Sequence, residues 1–177
     1  MIVVESKKEL RELIEQRINE QGPNCDLNDI DVSRVTDMSH LFFESSFNGD
    51  ISKWDVSNVE NMSWMFANSD FNGDISRWST SNVRSMWCMF KESIFNGDIS
   101  KWDVSSVKNM SWMFSDSKFN KDISAWNISS VEDMEGMFVC SQFKGDLGRW
   151  DVSNVKDMRD MFVGSPLEGK EPSWYKK

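Results

Sequence analysis

Large apolar residues return along this chain at one fixed interval. Phe47, Phe71, Phe95, Phe119 and Phe143 are 24 residues apart, with Leu167 in the next position. Trp54, Trp78, Trp102, Trp126, Trp150 and Trp174 keep the same spacing, as do Met38 to Met158 and Phe42 to Phe162. Read from residue 47, the unit is Phe-Asn-Gly-Asp-Ile-Ser-x-Trp-Asp-Val-Ser-Asn-Val-x-Asn-Met-Ser-x-Met-Phe-x-x-Ser-x, with no insertion or deletion between Phe47 and Trp174. The first copy is degenerate: Asn24-Cys25-Asp26-Leu27 stands for Asn-Gly-Asp-Ile, and Ile30 for Trp. A period of this length predicts a solenoid, because one such unit cannot bury its own apolar face and stacked copies can.

Inside the unit the pattern changes. Val59, Met62, Met65 and Phe66 fall at i, i+3, i+6 and i+7, which predicts a short helix or 3₁₀ turn over about residues 59–67, capped by Ser57 or Asn58. Asp50-Ile51-Ser52 alternates polar, apolar, polar and predicts one short strand per coil, stacked about 4.8 Å apart in a narrow parallel sheet. Asn48-Gly49 before it, and Asp55 with Ser57 after it, are turn formers. Phe47, Ile51, Trp54, Val56, Val59, Met62, Met65, Phe66 and their equivalents are assigned to core ladders. Methionine thioethers there fill the gaps between rings.

The pattern divides the chain in three. Residues 1–23 form an N-terminal cap: Ile2-Val3-Val4 as a short strand, then a helix opened by the capping box Ser6-Lys7-Lys8-Glu9. That helix carries Leu10, Leu13, Ile14 and Ile18 on one face and stops at Gly22-Pro23. Residues 24–166 are the repeats. Residues 167–177 are a degenerate half-repeat in which Lys170-Glu171-Pro172 replaces Asp-Ile-Ser, an expected cap against further stacking.

Composition narrows the function classes. The 177 residues hold 12 Met, 12 Phe and 9 Trp but 1 His, which argues against histidine-based metal or acid–base chemistry. Mean hydropathy is −0.53, and no segment is apolar enough to insert in a membrane. Cys25, Cys88 and Cys140 are odd in number and lack CxxC spacing, so neither a disulfide framework nor a zinc site is expected. The N-terminus has no apolar signal region or lipobox, so the chain as it stands reads as cytoplasmic, or as a mature fragment whose signal was removed. A net charge of −9 disfavours direct nucleic-acid binding. With no GxSxG, P-loop or HExxH, no catalytic, metal-ligating or cofactor-binding residues are assigned and no enzyme is expected.

The unit Trp-Asp-Val-Ser-Asn-Val followed by Met-Ser-x-Met-Phe resembles the repeat of the BspA-like leucine-rich-repeat surface proteins, also found in the mycoplasma lipoprotein-associated family. The resemblance covers about residues 24–174. The expected architecture is therefore α/β: a right-handed leucine-rich-repeat-like solenoid of six to seven 24-residue coils, one short parallel strand and one short helix per coil, with an N-terminal capping helix. The resemblance also implies adhesion or protein–protein binding at the bacterial surface or in secreted form.

Two sets of residues are candidates for contacting a partner. Trp64, Trp87 and Trp112 are tryptophans that the repeat does not demand, in three consecutive coils. Exposed Trp is a favoured binding anchor, although packing over adjacent coils explains them equally well. Asp50, Asp74, Asp98, Asp122 and Asp146 form an acidic row, with Lys53, Arg77, Lys101 and Arg149 three residues on as neutralising partners. Turn-stabilising aspartates, a face for a basic partner, and calcium between coils are the three readings, the last the weakest. The function expected is a monomeric, non-enzymatic protein-binding module. The alternative is an intracellular acidic inhibitor or nucleic-acid mimic that occupies a basic site on a target protein.

Overall fold

Backbone hydrogen bonds in the computed structural model, which describes residues 1–176, run chiefly between successive repeats and within turns. In the first repeat the N–H groups of Met38, His40, Phe42 and Glu44 donate to the carbonyls of Asn61, Ser63, Met65 and Ala67 in the second. The same four bonds recur at each of the five junctions between repeats, at 2.8–3.0 Å. Parallel bridges join Asp37, Asn61, Ser85, Asn109, Asp133 and Asp157 in one row. Each repeat therefore lies beside the next along a continuous ladder.

This segment is where a short helix or 3₁₀ turn was expected, and the structure forms separate i→i+3 turns rather than a helix. The N–H groups of Met65 and Ala67 close i→i+3 turns onto Met62 and Trp64, while the intervening N–H groups leave for the neighbouring repeat. An α-helix keeps all its bonds to itself and could not do this. Trp64 and Asn68 have φ of +61° and +48°, and the equivalent residues of every other repeat are likewise positive. The turn from Met62 is closed by the Met65 N–H and that from Phe66 by the Ser69 hydroxyl, and in each the left-handed residue stands third, the place that a type II turn fills with such a residue. Two such turns in series place apolar side chains at nearly the spacing a helix would.

The parallel row also lies elsewhere than expected. Around Asp50-Ile51-Ser52 only the first junction is bridged, Asp26 to Asp50. Beyond it the side chains take over: Asn48 Oδ1 accepts the Asn72 N–H, Asn72 that of Asn96, Asn96 that of Asn120 and Asn120 that of Lys144, at 2.8–2.9 Å. Asparagine can do this because its amide oxygen reproduces a backbone carbonyl.

The interior is a set of ring columns. Phe42, Phe66, Phe90, Phe114, Phe138 and Phe162 stack at 5.5–5.9 Å within 11° of parallel. A second column, Phe47 to Phe143, runs beside it at 6.1–6.4 Å, and the two touch where each repeat meets the next, at 4.3–4.6 Å. Paired methionines such as Met62 and Met65, fully buried, fill the remaining space. The tryptophan row bounds the core. Each indole Nε1–H donates to a carbonyl of the previous repeat: Trp54 to Leu27, Trp78 to Ile51 and so on to Trp174 and Leu147, at 2.8–3.2 Å. A buried indole N–H needs such a partner, so this bond fixes the register that the rings alone would leave free.

Strand β1 (Ile2–Val3) pairs in parallel with β2 (Ile30–Asp31), and helix α1 (Lys7–Gln21) packs Leu10 and Ile14 inward at this end. Ser6 accepts the Glu9 N–H, Glu9 accepts the Glu5 N–H, and Gly22 ends the helix at φ +89° with its N–H on Ile18. At the other end Trp174 stacks on Trp150 and Tyr175 meets Phe162 edge-on. Residues 167–175 thus cover the ring columns of the sixth repeat.

Candidate functional site: an aromatic cluster and an acidic row

The left-handed turn position two residues after the first methionine of each repeat is held by His40, Trp64, Cys88, Trp112, Gly136 and Asp160. A left-handed φ favours glycine, and a bulky residue there is uncommon. Its direction decides what the side chain meets. An added Cβ at Gly136 would lie 2.7 Å from Trp112 Cδ2, so the Trp112 ring lies over the next repeat's glycine.

Trp64 is the hub of a cluster. The His40 ring stacks on it at 5.9 Å and 7°, Phe43 meets it edge-on at 5.6 Å, and Trp87 meets it edge-on at 5.6 Å from the other side. Lys91 Nζ stands 5.6 Å above its ring. Trp64 and Trp112 are half-buried, whereas Trp87 is 42% exposed. The structure thus joins Trp64 to Trp87 but leaves Trp112 on Gly136, apart from them. His40, Phe43 and Lys91 belong to the cluster and were not singled out from the sequence. The signal was available: His40 shares the Trp64 slot, and Phe43 stands where later repeats have Ala67 and Lys91. Desolvation, with Lys7 and Arg11 nearby, holds the His40 imidazole below its ordinary pKa, with Asp37 opposing.

The acidic row is built into turns. Asp50, Asp74, Asp98 and Asp122 each accept the N–H of the serine two residues on, and Asp146 that of Gly148, at 2.8–2.9 Å. These backbone bonds, reinforced by the serine hydroxyls, hold the carboxyls of Asp50, Asp74, Asp98 and Asp122 below the usual carboxylate range. The same Asx turn recurs at Asp55, Asp103 and Asp151 and again at Asn61, Asn109 and Asp133. The row is exposed, and among the described residues no lysine or arginine pairs with it within 4.0 Å. Lys53, Arg77 and Lys101 act on it only through longer-range attraction.

Among the described residues no group of three or more His, Cys, Asp or Glu is placed to hold a metal ion. No helix of the described residues is long and apolar enough to cross a membrane. Cys25 and Cys88 are buried and Cys140 is exposed; burial pushes the Cys88 thiol up to about 12.

The ladder, the columns and the repeated turns define a tandem-repeat protein. The profile of one family, described as Mycoplasma protein of unknown function, DUF285, matches twice, over residues 9–94 and 91–174, and the chain belongs to that family. No curated protein and no solved structure matches it.

Proposed function

We propose that this chain is a non-enzymatic protein-binding module, a solenoid of the BspA-like, right-handed, leucine-rich-repeat kind that engages a protein partner through its aromatic cluster. The observation that carries this reading is the placement of Trp64 and Trp87. Trp64 occupies a left-handed position that glycine or a small polar residue would fill at lower cost, and Trp87 stands half in solvent against it. Such a residue costs stability on the order of 1 kcal/mol, and sites of this kind concentrate where they serve function. Large, rigid aromatics are the side chains that anchor interfaces. The resemblance of the repeat to that of the BspA-like surface proteins supports a surface or secreted role, and we infer that the chain acts as a monomer.

The test compares capture of partners by the native chain and by a Trp64→Ser/Trp87→Ser/Trp112→Ser variant whose thermal unfolding remains cooperative. Loss of even one hot-spot anchor among them is expected to weaken binding by about thirty-fold or more. Unchanged binding by the folded variant would sink the reading.

The unpaired aspartate row supports a second reading, an acidic surface that occupies a basic site on its target. Salt separates the two. Affinity for a basic site falls steeply between low and high ionic strength, whereas an aromatic-anchored interface changes little.

A further inference from the structure

The last repeat presents a row of backbone donors without acceptors. At every earlier junction the N–H groups equivalent to Met158, Asp160 and Phe162 bond to the next repeat; Met134, Gly136 and Phe138, for example, donate to Asp157, Arg159 and Met161. The N–H groups of Met158, Asp160 and Phe162 have no such partner among the described residues. The fourth of the set, from Gly164, is taken by the Glu168 carboxylate at 2.8 Å, which stands where a carbonyl would. Beside this edge lies a cavity of about 240 Å³, walled by the acidic Asp160, Glu168 and Glu171, by Phe162, Val163 and Tyr175, and by Arg159, whose charge is paired with Asp157. The ring column is already closed here by Tyr175 against Phe162, so what the edge lacks is backbone acceptors rather than apolar cover.

We propose that this edge binds an extended, basic peptide segment of another protein, laid parallel to residues 157–163 as the next rung of the ladder. Its carbonyls, at alternate residues, would accept the N–H groups of Met158, Asp160 and Phe162. A lysine or arginine side chain would enter the cavity beside Asp160 and Glu168. Strand addition of this kind draws affinity from main-chain bonds and specificity from alternate side chains.

Two observations choose this occupant. The other end of the molecule already uses the device: β1, which lies outside the repeats, pairs in parallel with β2 and donates Ile2 and Val4 N–H to Asp29 and Asp31. A second copy cannot serve in the same way. The carbonyls it would need to offer, on residues 37–43, belong to a repeat end where Lys7 of α1 bonds Asp37 and Ser39, with Leu10 and Ile14 of that helix buried. This surface is separate from the Trp64 cluster, so the inference goes beyond the function proposed above.

The test uses the full chain and a capped peptide copying segment 153–164, with its aspartates changed to lysine. Amide hydrogen exchange is read by NMR. In the free protein the Met158, Asp160 and Phe162 amides are expected to exchange about a hundred-fold or more faster than those of Met134, Gly136 and Phe138. Saturating peptide should slow them at least about ten-fold, and an ester-linked peptide, whose carbonyls accept weakly, should not. Equal protection by the ester peptide, or no protection by either, would overturn the proposal. So would protection that grows with protein concentration alone, which would give the edge to a second copy.

Discussion

Gly136 shows at one residue what the repeat tolerates. Its φ of +59° is left-handed, like those of its counterparts, but here the Trp112 ring occupies the space a side chain would need. Gly136→Ala must strain the backbone and also displace that ring. The expected cost is about 1–2 kcal/mol in urea unfolding, together with a shift in tryptophan emission. The tolerant counterpart is Cys88, which holds the same conformation where it is buried. Its thiol, pushed up to about 12 by that burial, leaves almost no thiolate at neutral pH. Exposed Cys140 has no such shelter. A thiol-reactive chromophore at pH 7.5 is therefore expected to titrate one fast cysteine in the native chain, lost in Cys140→Ser, with Cys25 and Cys88 appearing only on unfolding. Fast reaction of two or three native thiols would contradict the buried placement.

At the scale of the element, the Asx turn is the unit from which each repeat is bent. Asp74 illustrates it: one carboxylate oxygen receives the Ser76 N–H at 2.9 Å, and a side-chain amide oxygen can do the same. Asp74→Asn is expected to unfold close to the native chain and Asp74→Ala measurably earlier, both read by thermal melting. The aspartates also set an acid limit. Their folded pKa values lie below the ordinary carboxylate value, so the unfolded chain binds protons first as pH falls. The stability they contribute is complete above about pH 4–5 and is lost as pH drops through the folded values. Urea midpoints should hold from pH 7 to 5 and fall below about pH 4. A midpoint rising toward pH 3 would remove these turns from the account. These elements also mark what the sequence discloses. The column residues are legible because a ring must meet its own kind at a fixed interval. The Ser6–Glu9 cap is legible because its chemistry is local. The segment over 59–67 is legible only as a helix or 3₁₀ turn, because successive i→i+3 turns give nearly the apolar spacing of a helix and only the hydrogen bonds distinguish them. Trp64 was visible as a residue out of place. Its left-handed backbone was not, and the alignment of His40 and Phe43 with the later repeats, though visible, did not show that their rings meet it.

Over the whole molecule, stability is transmitted through neighbours alone, since each repeat touches the one before and the one after. A central ring then matters more than a terminal ring of the same chemistry. Phe90 packs against Phe66, Phe95, Trp102 and Phe114, spanning three repeats. Phe162 has Phe138 behind it, with Trp174 and Tyr175 on its other sides. Phe90→Ala is expected to cost about 3–5 kcal/mol and to uncouple the two halves, so that urea unfolding broadens or separates into two transitions. Phe162→Ala should cost less and fray only the last repeat, leaving the Met134, Gly136 and Phe138 amides slow to exchange. A chain held together by one global core would respond to both substitutions with the same single, sharp transition displaced by similar amounts. That result would show coupling beyond nearest neighbours. The contrast between centre and end therefore tests the stacked architecture directly, independent of any partner, and it fixes where the aromatic cluster stands. Trp64 and Trp87 lie in the second and third repeats, flanked on both sides by intact junctions, where the stack is best able to carry a strained residue.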